Sequence, residues 1–265
     1  MHDRLSDASA RIAFLMREDE RLDDLQLAGM KILQKRSGFR FGMDAVLLAD
    51  FVRAEAKDQV ADFGTGTGIL PLLLLGRGKA SHVDALEIQP DMADMAHRTM
   101  QLNGVEEKCH VHLLPVERAL EEIPRGSMDV IVCNPPYGVS GTTLRNPSET
   151  LSTARHQSEE GLKAWFVMAY QLLKGKGRFH MVYPAPRMLE AMQALEKARL
   201  APKRFRLIYP AADKAANLVL IEAMKDAKPM LHPMPPLIVY EKDGSMTPEL
   251  RRIYHLDVTD SVSQA

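Results

Sequence analysis

The sequence predicts an α/β protein built on a mainly parallel, doubly wound sheet that ends in an antiparallel hairpin. Short apolar, β-branched runs near 59–63, 82–87, 109–114, 128–133 and 178–183 alternate with helical patterns near 69–77, 90–103, 159–174 and 186–198. That is the rhythm of β-α-β units. A glycine-rich turn, Gly64-Thr65-Gly66-Thr67-Gly68, follows the first of these strands. Two later strands, near 204–209 and 217–224, are joined only by Pro210–Ala216. That connection is too short for a parallel crossover and dictates an antiparallel pair at one edge.

The chain has 265 residues, 46% of them hydrophobic, enough to bury one α/β core without division. Residues 1–20 are polar and charged, closing with Arg17-Glu18-Asp19-Glu20, and read as an extension expected to be partly disordered. Residues 21–256 read as a single domain and 257–265 as a tail. No apolar run approaches the length of a membrane span, and Met1-His2-Asp3-Arg4 is not expected to open a signal peptide. Cys109 and Cys133, both in expected strands, read as small buried apolar residues. Without Cys-x-x-Cys or clustered histidine, no metal site is expected, and the compartment reads as reducing and cytoplasmic.

The elements follow in order. A helix around Asp44–Val52 is expected to cap the ligand cleft. The strand Gln59–Phe63 runs into the glycine turn, where bare backbone tolerates φ > 0 and close approach of a ligand. The spacing is G-x-G-x-G, with Ile69 where a dinucleotide fold wants a third small residue. Asp62 before the turn would repel a pyrophosphate and suits an ammonium or sulfonium, which favours S-adenosylmethionine over a nicotinamide dinucleotide. About twenty residues on, Glu87 ends the next strand, where a carboxylate accepts ribose hydroxyls; a solvated strand-end acid is the bland alternative. Ile88 is then expected to cover one face of the adenine. The following helix carries Asp91 in its first turn and Asn103-Gly104 as its stop. After the apolar strand Met128–Cys133 comes Asn134-Pro135-Pro136-Tyr137, whose prolines take the chain out of the sheet in rigid extended form. An amide, a free carbonyl and an aromatic face at a strand's carboxyl end suit a planar amino-bearing ring.

The acid-x-Gly-x-Gly-x-Gly turn, Glu87 and Asn134-Pro135-Pro136-Tyr137, in this order, resemble the class I S-adenosylmethionine-dependent methyltransferases that act on planar amino nitrogens. Gly38–Ala49, Tyr209–Ala223 and Pro235–Tyr240 are similar to segments of the bacterial tRNA adenine-N6-methyltransferases, which modify the adenine beside the anticodon (position 37) of a valine tRNA. The resemblance spans roughly Glu18 to Tyr254. It implies a Rossmann-like methyltransferase fold, S-adenosylmethionine as cofactor and tRNA as partner. It places Phe41 and Asp44 over the methionine end of the cofactor, although Asp44 also reads as a helix N-cap. Gly64, Gly66, Gly68 and Val116 complete the expected cofactor site. Many relatives carry an Asp after the third strand; here Leu114-Pro115-Val116-Glu117 has none, so either Glu117 or a backbone carbonyl must meet the adenine.

For catalysis, the Asn134 side-chain oxygen and the Pro135 carbonyl are assigned as acceptors that draw the amine toward tetrahedral geometry. Tyr137 stacks on a base splayed from its neighbours. His156, near the end of a Gly/Ser/Thr-rich loop over 138–157, either contacts RNA or caps the helix from Ser158. The net charge of −1 conceals an asymmetry: residues 163–228 hold 13 Lys/Arg against 5 Asp/Glu. Lys203, Arg204 and Arg206 there are candidate phosphate contacts, with solvated helix and strand faces as the alternative. Other acceptors for the same chemistry (DNA or ribosomal RNA adenine, a protein glutamine amide) remain open, as does a binding protein without catalysis. The glycine spacing disfavours a nicotinamide oxidoreductase, and an intact Asn134–Tyr137 disfavours the binding protein.

Overall fold

The computed structural model describes residues 12, 14–37, 42–135 and 151–256, excepting the side chains of 151–160. The chain opens with an antiparallel pair that the sequence did not reveal, β1 (Glu20–Asp24) and β2 (Lys31–Lys35). Next come α1 (Met43–Phe51), β3 (Gln59–Phe63), α2 (Ile69–Gly76), β4 (His82–Glu87), α3 (Pro90–Asn103) and β5 (Cys109–Leu113). A 3-10 turn (Val116–Glu121) leads to β6 (Met128–Cys133), and α4 (Leu151–Leu172) to β7 (Leu173–Pro184). The chain continues through α5 (Met188–Lys197), β8 (Leu200–Ala211), β9 (Leu218–Lys225), the short β10 (His232–Pro233), β11 (Leu237–Tyr240) and α6 (Pro248–Ile253).

The main sheet has the order β10-β8-β9-β7-β6-β3-β4-β5, and β11 also pairs with β8. The run from β7 to β5 is parallel. The expected hairpin is present: β8 and β9 are antiparallel, and β9 pairs antiparallel with β7. Alternation along the strands sends side chains to both faces. Val60, Val130, Val132 and Val182 enter a core with Leu48, Leu72 and Met100. Ala61, Phe63, Ile131 and Cys133 enter the opposite one with Phe166, Phe179 and Leu195. Two cores, one per face, make the sheet doubly wound, a mixed α/β architecture as the sequence predicts.

Local chemistry fixes the elements that frame the cleft. Gly104, left-handed at φ 64°, stops α3 where expected. Lys79 Nζ donates to the carbonyls of Ala49, Asp50 and Val52 at 2.9, 2.7 and 2.8 Å, satisfying the orphan end of α1. Burial in that position pushes its pKa down to about 8. Arg77 adds Asp50 at 3.0 Å.

Three expectations are corrected. The charged segment near residue 20 is anchored: Glu20 is fully buried, and Arg98 of α3 donates to both its oxygens at 2.7 Å. The helix expected from 159 starts at Leu151, so His156 lies inside it and not at its start. The helix expected to reach residue 174 ends at Leu172, and Lys174–Gly177 belongs to β7, with Lys176 at φ 67°. Cys109 and Cys133 are buried and free, as expected. Among the described residues no helix is long and apolar enough to cross a membrane.

Candidate active site

Strand register assembles the site. Phe63 pairs with both Leu86 and Cys133, so Gly64, Glu87 and Asn134 leave the sheet side by side at its carboxyl edge. This is where open α/β sheets bind ligands. The glycine turn folds back on β4: the Gly64 and Thr65 N–H groups both donate to the Leu86 carbonyl, at 3.0 and 2.9 Å. Gly64, Gly66 and Gly68 all have positive φ, at 73°, 58° and 89°. Their roles differ. A Cβ on Gly66 would meet nothing within 4 Å, so the backbone there faces open space. A Cβ on Gly64 would lie 3.1 Å from Trp165, and one on Gly68 would lie 2.5 Å from the Met100 methyl. Gly68 therefore serves the packing of α2 on α3 and is not bared toward a ligand.

The acids are built in with equal specificity. Glu87 is 5% exposed; it accepts the Gly66 N–H at 2.9 Å and the Gln89 N–H at 2.8 Å. A carboxylate so held keeps lone pairs for hydroxyl donors. Asp62 is fully buried, and neither of its oxygens has a hydrogen-bond partner among the described residues. Burial pushes its pKa up to about 7; the neighbouring Thr65 hydroxyl eases the shift, and the Glu87 charge adds to it. Thr65 acts by proximity, because its own oxygen also lacks a partner of proper geometry. Buried polar groups are normally paired. An unpaired carboxylate at the root of a glycine turn thus calls for a cationic partner from outside the chain. Ile88 beside Glu87 is 64% exposed, an apolar surface open at the ribose acid. These residues fit S-adenosylmethionine: Asp62 for the ammonium end, Gly66 for close backbone approach, Glu87 for the ribose and Ile88 for the adenine.

Other expected residues stand differently. Asn134 is partly buried and Pro135 buried, directly after β6. Phe41 and Tyr137 lie outside the described residues, as does the side chain of His156. Val116 is 3% exposed and packs in the core. Glu117 does not reach toward an adenine: its Oε1 accepts the Trp165 indole N–H at 3.0 Å. Trp165 in turn sits edge-on to Phe63 at 6.2 Å between ring centroids. Sequence reasoning missed this Trp165–Glu117 brace beside the glycine turn; nothing in the helical pattern marked it. Asp44 is not the N-cap of α1, which is Gly42; it accepts the Ala45 N–H at 2.9 Å. With Leu47, Pro210, Asn217 and Tyr240 it lines a cavity of about 270 Å³ between α1 and the β8–β9 connection.

The basic residues are the largest correction. Arg204 Nε is 2.5 Å from Glu222 Oε2, its Nη2 donates to the Phe51 carbonyl at 2.6 Å, and its guanidinium lies over the Phe51 ring. Arg206 donates to both Glu249 oxygens at 2.8 Å and to the Pro235 carbonyl at 2.9 Å. Lys203 Nζ donates to the Lys228 carbonyl at 3.1 Å. These are ties within the fold. Lys174, Arg199 and Lys225 stand at the edge of the sheet opposite the glycine turn, because β7 and β8 start there and β9 ends there. Lys174 pairs with Asp129 at 2.7 Å and Arg199 with Asp226 at 2.6 Å. At the cleft edge, Lys214 on the β8–β9 connection has a side chain 66% exposed and lies 3.6 Å from Asp213 Oδ2.

A glycine turn over an unpaired acid, a ribose-type carboxylate and an Asn-Pro pair on adjacent parallel strands define a class I methyltransferase cleft. The chain belongs to the methyltransferase small domain family, whose model matches residues 40–198. It is similar to the tRNA1(Val) (adenine(37)-N6)-methyltransferase of Tolumonas auensis, 27% identical over 82% of this chain and 88% of that protein. The enzyme of the same name from Cytophaga hutchinsonii is 28% identical over 75% of this chain and 83% of its own. Among solved structures, the fold matches Agrobacterium tumefaciens protein Atu636, described as a predicted O-methyltransferase. That match has a TM-score of 0.65 at 23% identity, over 80% of this chain and 96% of the other. It also matches P. horikoshii TYW2 in complex with MeSAdo, with a TM-score of 0.56 at 17% identity, over 80% of this chain and 73% of that one.

Proposed function

We propose that this methyltransferase transfers a methyl group from S-adenosylmethionine to the N6 amino group of adenine 37 in a valine tRNA. Residues 21–256 act as one catalytic domain in the cytoplasm, where the tRNA is found. The observation that carries the reading is Asn134-Pro135 leaving the sheet beside the glycine turn, in a chain whose relatives are named for this reaction.

When bound, S-adenosylmethionine supplies an activated methyl on a good leaving group, so the protein's task is alignment and electrostatics. Asp62 and Glu87 hold the donor's ammonium and ribose, and the bare backbone at Gly66 admits it closely. The exocyclic nitrogen of adenine is a poor nucleophile because its lone pair is delocalised into the ring. The Asn134 side-chain oxygen and the Pro135 carbonyl would accept hydrogen bonds from its two N–H groups and draw it toward tetrahedral geometry, freeing the lone pair to take the methyl while one N–H proton is lost to solvent. Tyr137 stacks on the base, worth roughly 1–3 kcal/mol. Asp44, Asn217 and Tyr240 are suited to the nucleotide beside the target, because their cavity opens on the same edge of the sheet. Lys214 is suited to a phosphate there.

The test is nucleoside analysis of valine tRNA from a strain lacking the gene, with and without complementation. N6-methyladenosine at position 37 should vanish and return. Its persistence in the deletion strain would remove the assignment.

A further inference from the structure

At the free edge of the sheet, away from the cleft, four side chains meet that the sequence did not bring together. β4 and β5 are parallel neighbours with Asp84 opposite His110. Residues in step on adjacent strands share a face, as do residues two apart on one strand. His82 and Asp84 on β4 therefore share their face with His110 and His112 on β5. The opposite face of the same stretch, Val83 and Cys109, is core. A His-x-Asp on one strand and a His-x-His on the next are unremarkable alone; register makes them a cluster.

The geometry is specific. One ligand-capable atom from each of His82, Asp84 and His110 lies within 4.8 Å of the others. His82 Nε2 is 3.6 Å from Asp84 Oδ1, and His112 Nε2 is 2.8 Å from the same oxygen. The His82 and His110 rings stand edge to face with centroids 4.6 Å apart. Three imidazoles stand around one carboxylate. A cation between them would satisfy them together. Ligand atoms around a tetrahedral Zn²⁺ with bonds of about 2.0–2.1 Å are separated by roughly 3.3–3.4 Å. The present spacings reach that by small side-chain rotations.

We propose that His82, Asp84 and His110 bind one divalent transition-metal ion of the Zn²⁺ class, with His112 orienting the carboxylate. Nitrogen ligands with one carboxylate select borderline ions over Mg²⁺ or Ca²⁺, which prefer oxygen. The His112–Asp84 contact is the hydrogen bond that commonly fixes a ligating group from outside. Asp84 lies three residues before Glu87, roughly 10 Å along the strand, so the ion sits outside the cofactor cleft. Bridging β4 and β5, it would clip the edge strand to the sheet.

The experiment uses full-length protein without a histidine tag, stripped with a chelator and titrated with Zn²⁺ against a chromophoric chelator. Uptake of one equivalent per chain is expected, together with a tetrahedral visible spectrum when Co²⁺ replaces Zn²⁺. His110→Ala, at an exposed position, should weaken Zn²⁺ binding at least tenfold. His112→Ala should weaken it tenfold to a hundredfold, as for other partners that orient a ligand. S-adenosylmethionine affinity should stay unchanged in both, with circular dichroism showing the fold retained and His110→Gln as a second, milder variant. No stoichiometric uptake, or uptake unchanged in His82→Ala/His110→Ala, overturns the proposal.

Discussion

Asp62 is a site where function works against stability. It is fully buried with both oxygens unpartnered among the described residues, and its pKa rises to about 7. In the unfolded chain it returns to about 3.8. Between those values the folded protein holds one proton more than the unfolded, so stability falls as pH rises. The slope is about 1.4 kcal/mol per pH unit, which amounts to roughly 4 kcal/mol across the window. The contribution is complete below about pH 4 and lost as pH rises through about 7. Asp62→Asn removes the titrating group. Relative to wild type, the ligand-free variant should gain stability from pH 5 to about pH 7 and level off by pH 8. The gain is reduced by about 1–3 kcal/mol for an amide that also lacks partners. Urea denaturation at pH 5, 6, 7 and 8, followed by fluorescence of the single tryptophan, reads this difference. Calorimetry supplies the complement: wild type should bind S-adenosylmethionine about tenfold more tightly per pH unit between 5 and 7, as the carboxylate ionises. Asp62→Asn should bind weakly throughout. Wild-type and variant stability curves that run parallel across this range would refute the reasoning.

The other residues give sharper, smaller tests. Gly66→Val puts a side chain into open space at φ 58°, and should abolish S-adenosylmethionine binding in calorimetry while the protein still unfolds cooperatively. Gly68→Ala forces a left-handed alanine against Met100; it should cost about 1–3 kcal/mol in urea denaturation. Arg204→Ala leaves Glu222 buried without its guanidinium. A loss of about 3–5 kcal/mol is expected, with the salt dependence of tRNA binding by the remaining folded protein unaltered.

Much of this fold was legible because its signals are local. Apolar runs such as Met128–Cys133 and the turn at Gly64–Gly68 carry their own geometry, and the short Pro210–Ala216 link forces an antiparallel pair. Asn103-Gly104 stops α3 by backbone chemistry alone. The remainder depends on partners far away in sequence. Nothing near Glu20 announces Arg98, and the proline-rich stretch over 229–236 hides β10 and β11. Asp62, Glu87 and Asn134 stand out in the sequence because each lies at or beside a strand end, and register brings those ends together. Arg204 and Arg206 misled for the converse reason: charge counts do not reveal that Glu222 and Glu249 stand beside them. The histidines at 82, 110 and 112 were invisible as a group, since only the β4–β5 pairing assembles them.

The central claim is that the Asn134 amide and Pro135 carbonyl align an adenine amine for methyl transfer. Single-turnover methylation of unmodified valine tRNA by wild type and Asn134→Ala, with nucleoside analysis of the product, tests it most directly. Wild type should yield N6-methyladenosine at position 37. Asn134→Ala should lower kcat tenfold to a thousandfold, about 1.4–4 kcal/mol of lost transition-state stabilisation, with S-adenosylmethionine affinity unchanged. Near wild-type turnover by Asn134→Ala, or methyl transfer to a different atom, would contradict the account.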